Sequence, residues 1–484
     1  MPSSRAKGVA LLSALALFAA ACGSNNNQAG ASPSAGASTA PSESAAASEG
    51  ASESAAASGG TTIDASGDIF AFGVSYETSD EIAKGRVDTF KDLYPDVNVK
   101  FSESGFDSQG FLAALQGSDA PDVVRIPRDR LGTYVARGVI EPLDDCISRT
   151  GVDLANYREA AVKQVTIDGK VYAMPEFFWV SNWLVDNDLF EKAGLDPATW
   201  DVSNWDQITA ANQALLDKTD TKIAIDPKVW DNGDRFPMWV AAAGGALLSE
   251  DGKTAQLDQQ PVIDALTFTK SIIDAHGGLT EFKDRIGQTG DFFGAENQFA
   301  KDLEAAFPMQ QWYLNVLAGA SPDTKFTALP FKTKDGQPLT YAEGDALAVV
   351  ASSDNKDAAC AFVTTMVSTD AWINASKLRQ ESAEKDNKIQ TGTSTGNKAA
   401  DEQIFSSLVN ANDNPTFKAA IDAYVGTLDT SFAMPPTPAA EEFRQAWIDA
   451  VNKALEGSAD PSAALQQAQQ EAQSAIDSAG NAAP

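Results

Sequence analysis

Apolar and polar positions divide the chain into three stretches: an apolar tract over residues 8–21, a polar and small-residue stretch, and a body of mixed periodicity from Asp64 onward. In the body, Ile69-Phe70-Ala71-Phe72-Gly73-Val74 is a short apolar run and predicts a buried strand. Ile82, Val87, Phe90 and Leu93 then recur at roughly helical spacing. They predict a helix over Asp80 to Tyr94, with Asp80 suited to cap it and Pro95 to stop it. Val97 to Phe101 alternates and predicts the next strand, and Asp122 to Ile126 a third. Strand and helix in alternation predict an α/β fold, with parallel strands covered on both faces. In such sheets ligands sit beyond the carboxyl ends of the strands. The loops after Val74 and Ile126 are therefore the first candidates for a site.

The apolar tract reads as targeting. Arg5 and Lys7 precede it, and it ends in Ala19-Ala20-Ala21-Cys22. That length and small-residue end predict a secretory signal peptide over residues 1–21, too short to span a bilayer. The cysteine directly after the small residues resembles a bacterial lipobox, although Ala19 stands where a larger aliphatic residue is commoner. The resemblance implies acylation of Cys22, with two acyl chains giving stable anchoring. An ordinary signal cut before an incidental cysteine is the alternative. Between Gly23 and Thr62 there is no large apolar residue, and Ser42–Ser48 recurs as Ser52–Ser58. Residues 22–63 are thus expected to be a disordered tether, about 40 residues with a root-mean-square span of about 35 Å. Its expected job is to hold the body off the membrane. No other run reaches membrane-spanning length, so the membrane is expected to be met through the lipid anchor only.

Composition narrows the chemistry. Lys+Arg number 36 and Asp+Glu 67, a net charge of −31 over 484 residues. That balance argues against nucleic acid and against an anionic membrane surface as partner. The single histidine, His276, cannot supply a multi-histidine zinc site, and any histidine triad would depend on it alone. No catalytic residue, metal site or cofactor is expected. Beyond Cys22 the thiols are Cys146 and Cys360. In an oxidising compartment they form either a bridge or two buried thiols, and sequence does not supply their separation.

Several short motifs in a fixed order carry a resemblance. They are Ala120-Pro121-Asp122-Val123-Val124, Arg125 to Tyr134, Gly138 to Leu143, Asp168-Gly169-Lys170-Val171-Tyr172-Ala173-Met174-Pro175, Asp186 to Leu195 with Trp200-Asp201, Ala241 to Gly245, and Met434-Pro435-Pro436-Thr437-Pro438. Together they resemble the sugar-binding proteins of ABC importers, most of all the maltose and maltodextrin binders, over residues 66–477. The resemblance implies a two-lobed periplasmic-binding-protein-like fold of type II, with discontinuous lobes joined by hinge crossings. Lobe one would comprise 64–177 plus 328–394, and lobe two 178–327 plus 395–484. The crossings would fall near Pro175–Trp179, Leu329–Phe331 and Thr391–Lys398. It also implies a monomer outside the cytoplasm that delivers a carbohydrate to ABC permease subunits.

A neutral sugar needs aromatic platforms for its ring faces and bidentate polar groups for its hydroxyls. Asp129 and Arg130 fall where the maltodextrin binders place a sugar-contacting pair, just past a predicted strand. Trp312 stands at the spacing of a ring-stacking tryptophan, with Tyr313 as a lesser partner. Trp179 lies just past the first crossing, and Trp230 precedes Gly244-Gly245 where the family presents an aromatic. Trp183 serves equally as core, and Trp239 and Trp372 read as core. Tyr76 and Glu77 occupy the loop where the maltodextrin binders carry an Asp-Lys pair, and Arg444 stands where they carry a further tryptophan. These departures leave a different oligosaccharide or a monosaccharide open. Glu176 and Asp345 complete the candidates, each near a crossing or strand end. For every polar candidate the plain alternative is a solvated or paired surface charge. Two other functions remain: the same fold with a non-sugar solute, and a secreted glycoside hydrolase with a carboxylate pair at defined separation.

Overall fold

The computed structural model describes residues 62–482 apart from 75, 77–79, 103, 118, 232 and 412. The expected signal, Cys22 and nearly all of the expected tether lie outside the described residues, as does Glu77.

The first helix forms over Glu81–Leu93, and the Asp80 carboxylate accepts from the Ile82 amide at 3.0 Å. Ile82, Val87 and Phe90 of the apolar stripe are buried, with Gly85 and Arg86, whereas Leu93 is exposed. Strands Gly67–Phe72, Val97–Phe101 and Val123–Pro127 pair in parallel around the first of these. Asp345–Val349 and Met174–Pro175 complete a five-stranded sheet. The alternation of side chains sorts this sheet into two layers. Ile69, Ala71, Val123, Leu347 and Val349 pack on one face with Phe90 and Phe362. Val124, Ile126, Ala346 and Ala348 pack on the other with Phe111 and Tyr134.

A second sheet has four strands in the order Phe326–Pro330, Ser181–Asp186, Glu304–Gln310, Ile223–Ile225. Trp183 and Val185 enter a large core on one face, and Leu184, Phe307 and Met309 a second core on the other. Neither sheet is wholly parallel. Asp345–Val349 runs antiparallel to both its neighbours, and Ser181–Asp186 antiparallel to both of its own. The expectation of parallel sheets is thus corrected. Each antiparallel strand follows a passage of chain from the other sheet, not a covering helix.

Two such passages join the sheets. The first runs through 176–180, from Met174–Pro175 to Ser181–Asp186. The second runs through 331–344, since Phe326–Pro330 is still paired in the second sheet. They meet at a bridge between Trp179 and Glu343, whose amides and carbonyls bond reciprocally at 2.9 and 3.0 Å. Residues 394–396 lie along the first passage, with Phe177 bridged to Thr395.

Cys146 and Cys360 form a disulfide, with Cα atoms 5.7 Å apart and a sequence separation of 214. It ties helix Asp144–Thr150 to helix Lys356–Met366 beneath the first sheet. No helix of the described residues is long and apolar enough to cross a membrane.

Candidate functional site

A cavity of about 250 Å³ lies where the passages meet the loops beyond the strands. Pro127, Asp129, Arg130, Gln164 and Asp345 line it from the first-sheet side. Trp179, Tyr341, Ala342, Glu343 and Gly344 come from the passages. Asp234, Pro237, Gln310, Arg444 and Trp447 line it from the second-sheet side.

Its polar groups are tied into clusters. Arg235 Nη1 donates to both oxygens of Glu343 at 2.6 and 2.8 Å, and Gln310 Nε2 to one of them at 2.9 Å. Burial pushes the Glu343 carboxyl up to about 7, against the pull of Arg235. Asp345 pairs with Arg125 at 2.6 Å. The same Arg125 pairs with Glu176 at 2.6 Å, and Glu176 with Arg86 at 2.7 Å. Burial also raises Asp345, opposed by Arg125, and raises Asp129, opposed by Arg444. Arg444 pairs with Asp234 at 3.0 Å and with Asp129 at 3.6 Å, and its guanidinium lies 5.8 Å from the Trp447 ring. The buried Nε of Arg130 has no hydrogen-bond partner among the described residues.

The Asp129–Arg444 contact joins the two halves of the molecule. Arg444 belongs to helix Ala440–Leu455, which packs into the large core of the second sheet. The start of that helix is also held from the first-sheet side. Ser108 Oγ and Tyr134 Oη donate to Glu441 at 2.6 and 3.0 Å, and the Glu441 amide donates to Thr133 Oγ1 at 3.0 Å. Gly132 permits this approach, since a Cβ there would sit 2.1 Å from the Thr437 carbonyl oxygen. The cavity therefore has walls that belong to different halves, joined by these contacts and by the passages.

Trp179 stands on an aromatic and cationic stack. Its ring is stacked on Phe177, with centroids 5.7 Å apart and planes at 22°. Phe177 meets Trp372 edge-on at 5.2 Å, and Arg86 and Arg125 lie 5.2 and 5.1 Å from its centroid. Such packing fixes the ring's orientation. Trp447 and Tyr341 add further ring surface to the cavity.

The structure brings Asp129, Arg130, Trp179 and Asp345 together. Trp312 is not on the cavity wall, but its Nε1 donates to Gln310 Oε1, which is. Its ring runs parallel to Phe293, at 6.2 Å and 16°, and Phe293 is 66% exposed. The other candidates lie elsewhere. Trp230 donates to Asp226 at 3.0 Å and lies 5.9 Å from both Lys228 and Lys283. Tyr76 stacks on Phe101 at 5.2 Å. Neither Trp230 nor Tyr76 lines the cavity. Tyr313 is in the core, with its hydroxyl donated to the Phe292 carbonyl at 3.0 Å. Glu176 is 1% exposed and enclosed by two arginines, so it supports the wall and does not form it.

Asp234, Gln310, Glu343 and Trp447 line the cavity without having been singled out from sequence, and Arg235 backs it. Trp447 had a usable signal. It follows Arg444 by three residues, and residues so spaced share a helix face. Glu343 and Arg235 carry no local signature, because they meet only through the fold.

His276 serves the core. Its Nε2 accepts from the Ala224 amide at 3.1 Å, so the proton sits on Nδ1, 2.9 Å from the Ile272 carbonyl. Among the described residues no group of His, Cys, Asp and Glu side chains is placed to hold a metal ion. A larger groove, about 1650 Å³, follows Met434–Pro438. None of the candidate ligand residues lines it. Its arginine, Arg158, is already held by Asp401 at 2.6 Å and by Asp429 at 3.1 Å. The smaller cavity is the one that gathers Asp129, Arg130, Trp179 and Asp345.

Comparison with known proteins agrees with this architecture. Residues 74–371, more than half the chain, match the family model of bacterial extracellular solute-binding proteins. The maltotriose-binding protein of Pyrococcus abyssi (strain GE5 / Orsay) is 22% identical over 288 residues, covering 58% of this chain and 58% of its own length. The chain thus spans less than two thirds of that relative. The ABC substrate-binding protein Lmo0181 from Listeria monocytogenes, solved with cycloalternan, superposes with a TM-score of 0.68 at 19% identity, over 86% of this chain and 100% of that one. UgpB from Mycobacterium tuberculosis, solved with glycerophosphocholine, superposes with a TM-score of 0.63 at 20% identity, over 85% of this chain and 99% of that one. These structures share the two-lobed fold with this chain. The chain belongs to the family of bacterial extracellular solute-binding proteins.

Proposed function

We propose that this protein is a lipid-anchored binder that captures a carbohydrate, a maltodextrin-like oligosaccharide first among the candidates, and hands it to the permease of an ABC transporter. The observation that carries this reading is the cavity at the crossing of the two passages. It sets the Trp179 ring beside carboxylates and guanidiniums drawn from both halves. Sugar hydroxyls suit these bidentate groups, and a sugar ring face suits the indole. The ligands in the names of the maltotriose-binding relative and the cycloalternan complex support a saccharide. Asp129 and Asp345 from one half, with Glu343 and Gln310, would accept from and donate to hydroxyls. A ligand touching both halves favours the closed arrangement by its extra affinity for it. The molecule would act as a monomer, anchored through Cys22 and carrying out no turnover.

A second reading keeps the cavity and changes the solute. Arg130, whose buried Nε has no partner among the described residues, and Arg444, which lines the same cavity, would suit an anionic group such as a phosphodiester, and the glycerophosphocholine complex is consistent with that. A thermal-shift panel separates the two. Ligand at 100 times its Kd adds about 2.7 kcal/mol of stability. A shift with maltodextrins that is lost in Asp129→Ala supports the first reading. A shift only with glycerophosphodiesters supports the second, and hydrolysis of a labelled oligosaccharide would overturn both.

A further inference from the structure

Arg128 is the first residue after strand Val123–Pro127 and is 1% exposed. Among the described residues it has no ion-pair partner; its donors go to neutral oxygens. Nε donates to Gln164 Oε1 at 2.9 Å. Nη1 donates to the main-chain carbonyls of Phe177 at 2.5 Å and Asp345 at 3.1 Å, and Nη2 to that of Glu343 at 2.5 Å. The Arg128 amide bonds the Gly344 carbonyl at 3.1 Å. A sealed guanidinium without a carboxylate is costly, and it persists only where its hydrogen bonds are satisfied. Its planar fork can grip two chain segments at once, which an ammonium does less well.

The two segments are the two interlobe passages. Phe177 lies on the first, two residues before Trp179. Glu343 is on the second, and Asp345 opens the strand that follows. All three neighbours, Trp179, Glu343 and Asp345, line the cavity. Gly344 lets the passages close around the guanidinium. Its φ is 131°, and a Cβ there would lie 2.1 Å from the Phe177 oxygen and 2.7 Å from Arg128 Nη1. Burial lowers the Arg128 pKa to about 10, so the group stays charged near neutral pH.

We propose that Arg128 is a positioning residue for ligand binding: its guanidinium ties the main chains of both passages together and sets Trp179, Glu343 and Asp345 at the separation the ligand meets. The ligand half of this inference rests on the carbohydrate reading of the cavity; the tie itself does not.

The test compares Arg128→Met, which keeps bulk and removes the donors, with Arg128→Lys, which keeps the charge without the fork. Val363→Ala, in the first-sheet core away from both passages, controls for general loss of stability. Hydrogen exchange is followed over 176–180 and 341–346, and saccharide affinity is measured by calorimetry with maltotriose and longer maltodextrins. Arg128→Met should speed exchange in both passages by about tenfold or more relative to the sheet cores. It should weaken binding by about tenfold, with Arg128→Lys intermediate. Val363→Ala should leave both within about twofold. Unchanged passage exchange in Arg128→Met, or an equal rise in Val363→Ala, would overturn the proposal. If Arg128→Met does not fold, Arg128→Lys decides: it must loosen both passages, and protection at the wild-type level sinks the idea. A wild type that binds no saccharide defeats the carbohydrate reading, while the exchange result still decides the tie.

Discussion

Glu176 and Glu343 sit on the same two passages, and both are drawn out of solvent, yet their acidities move in opposite directions. Burial disfavours the charged form in each. Around Glu176 that penalty is outweighed by Arg125 and Arg86, and its carboxyl is held below the usual carboxylate range. Around Glu343 a single arginine, Arg235, works against burial and against the nearby Asp234 and Asp129, and the carboxyl rises to about 7. Two guanidiniums make a permanent anion that pins the wall. One guanidinium, with like charges across a cavity, leaves a carboxyl whose charge is less firmly held. The difference separates scaffold from site on a stretch where both residues look alike in sequence.

The largest expected effect breaks the scaffold side. Glu176→Gln leaves two arginines sealed in with a single remaining carboxylate, Asp345. Removing one partner of a buried cluster costs about 3–5 kcal/mol. Urea unfolding at pH 7 should show that loss. The sign of its pH dependence follows from the lowered pKa. The stability due to Glu176 is present above its unfolded pKa of about 4.3 and is lost as pH falls through the lower folded value. The deficit of the variant should therefore narrow in acid.

Arg235→Ala removes the one guanidinium from Glu343 and drives that carboxyl further up. Ligand affinity should fall by about tenfold or more, while stability falls less than in Glu176→Gln. Calorimetric titration beside urea unfolding makes the comparison; the reverse order of effects would erase the distinction between scaffold and site.

Glu343→Gln sharpens it from the other direction. A raised pKa gives stability that is full below the unfolded value, about 4.3, and is lost as pH rises through about 7. In wild type, part of the stability should decline over that window. In Glu343→Gln most of that decline should vanish. Identical pH profiles would place the titrating group elsewhere. Asp401, raised to about 6, and Glu304, raised to about 7, are the natural alternatives.

The smallest effect is at the rim. Arg137 and Glu442 pair at 2.7 Å across the halves, but both are more than two-fifths exposed. Arg137→Ala should change stability by less than about 1 kcal/mol, and raised salt should remove even that.

What sequence shows here depends on how local the cause is. The helix Glu81–Leu93 and the strand Val97–Phe101 were legible because their caps, breaker and periodicity lie within them. The direction of Asp345–Val349 was not, since an apolar run reads the same in either orientation and both partner strands lie far away in sequence, at 123–127 and 174–175. The same holds for the cavity. Asp129, Arg130, Trp179 and Asp345 follow or precede strands and passages and could be placed by position. Whether a ring then faces in or out is decided by packing, which puts Tyr313 in the core and lays Tyr76 on Phe101. Glu343, Arg235 and Gln310 meet from three separate segments, so no spacing encodes them. The bridge between Cys146 and Cys360 was left open for want of a distance, which the fold supplies.

On the proposed reading the ligand is held at the crossing of the passages and not in the larger groove along Met434–Pro438. The most direct measurement is a crystal structure of the protein grown with the saccharide that shifts its melting most. The sugar should lie in the cavity, with a ring face on Trp179 and hydroxyls within hydrogen-bond distance of Asp129 and Glu343. A sugar bound in the groove beside Arg158 and Asp429, with the cavity side chains unchanged, would contradict it.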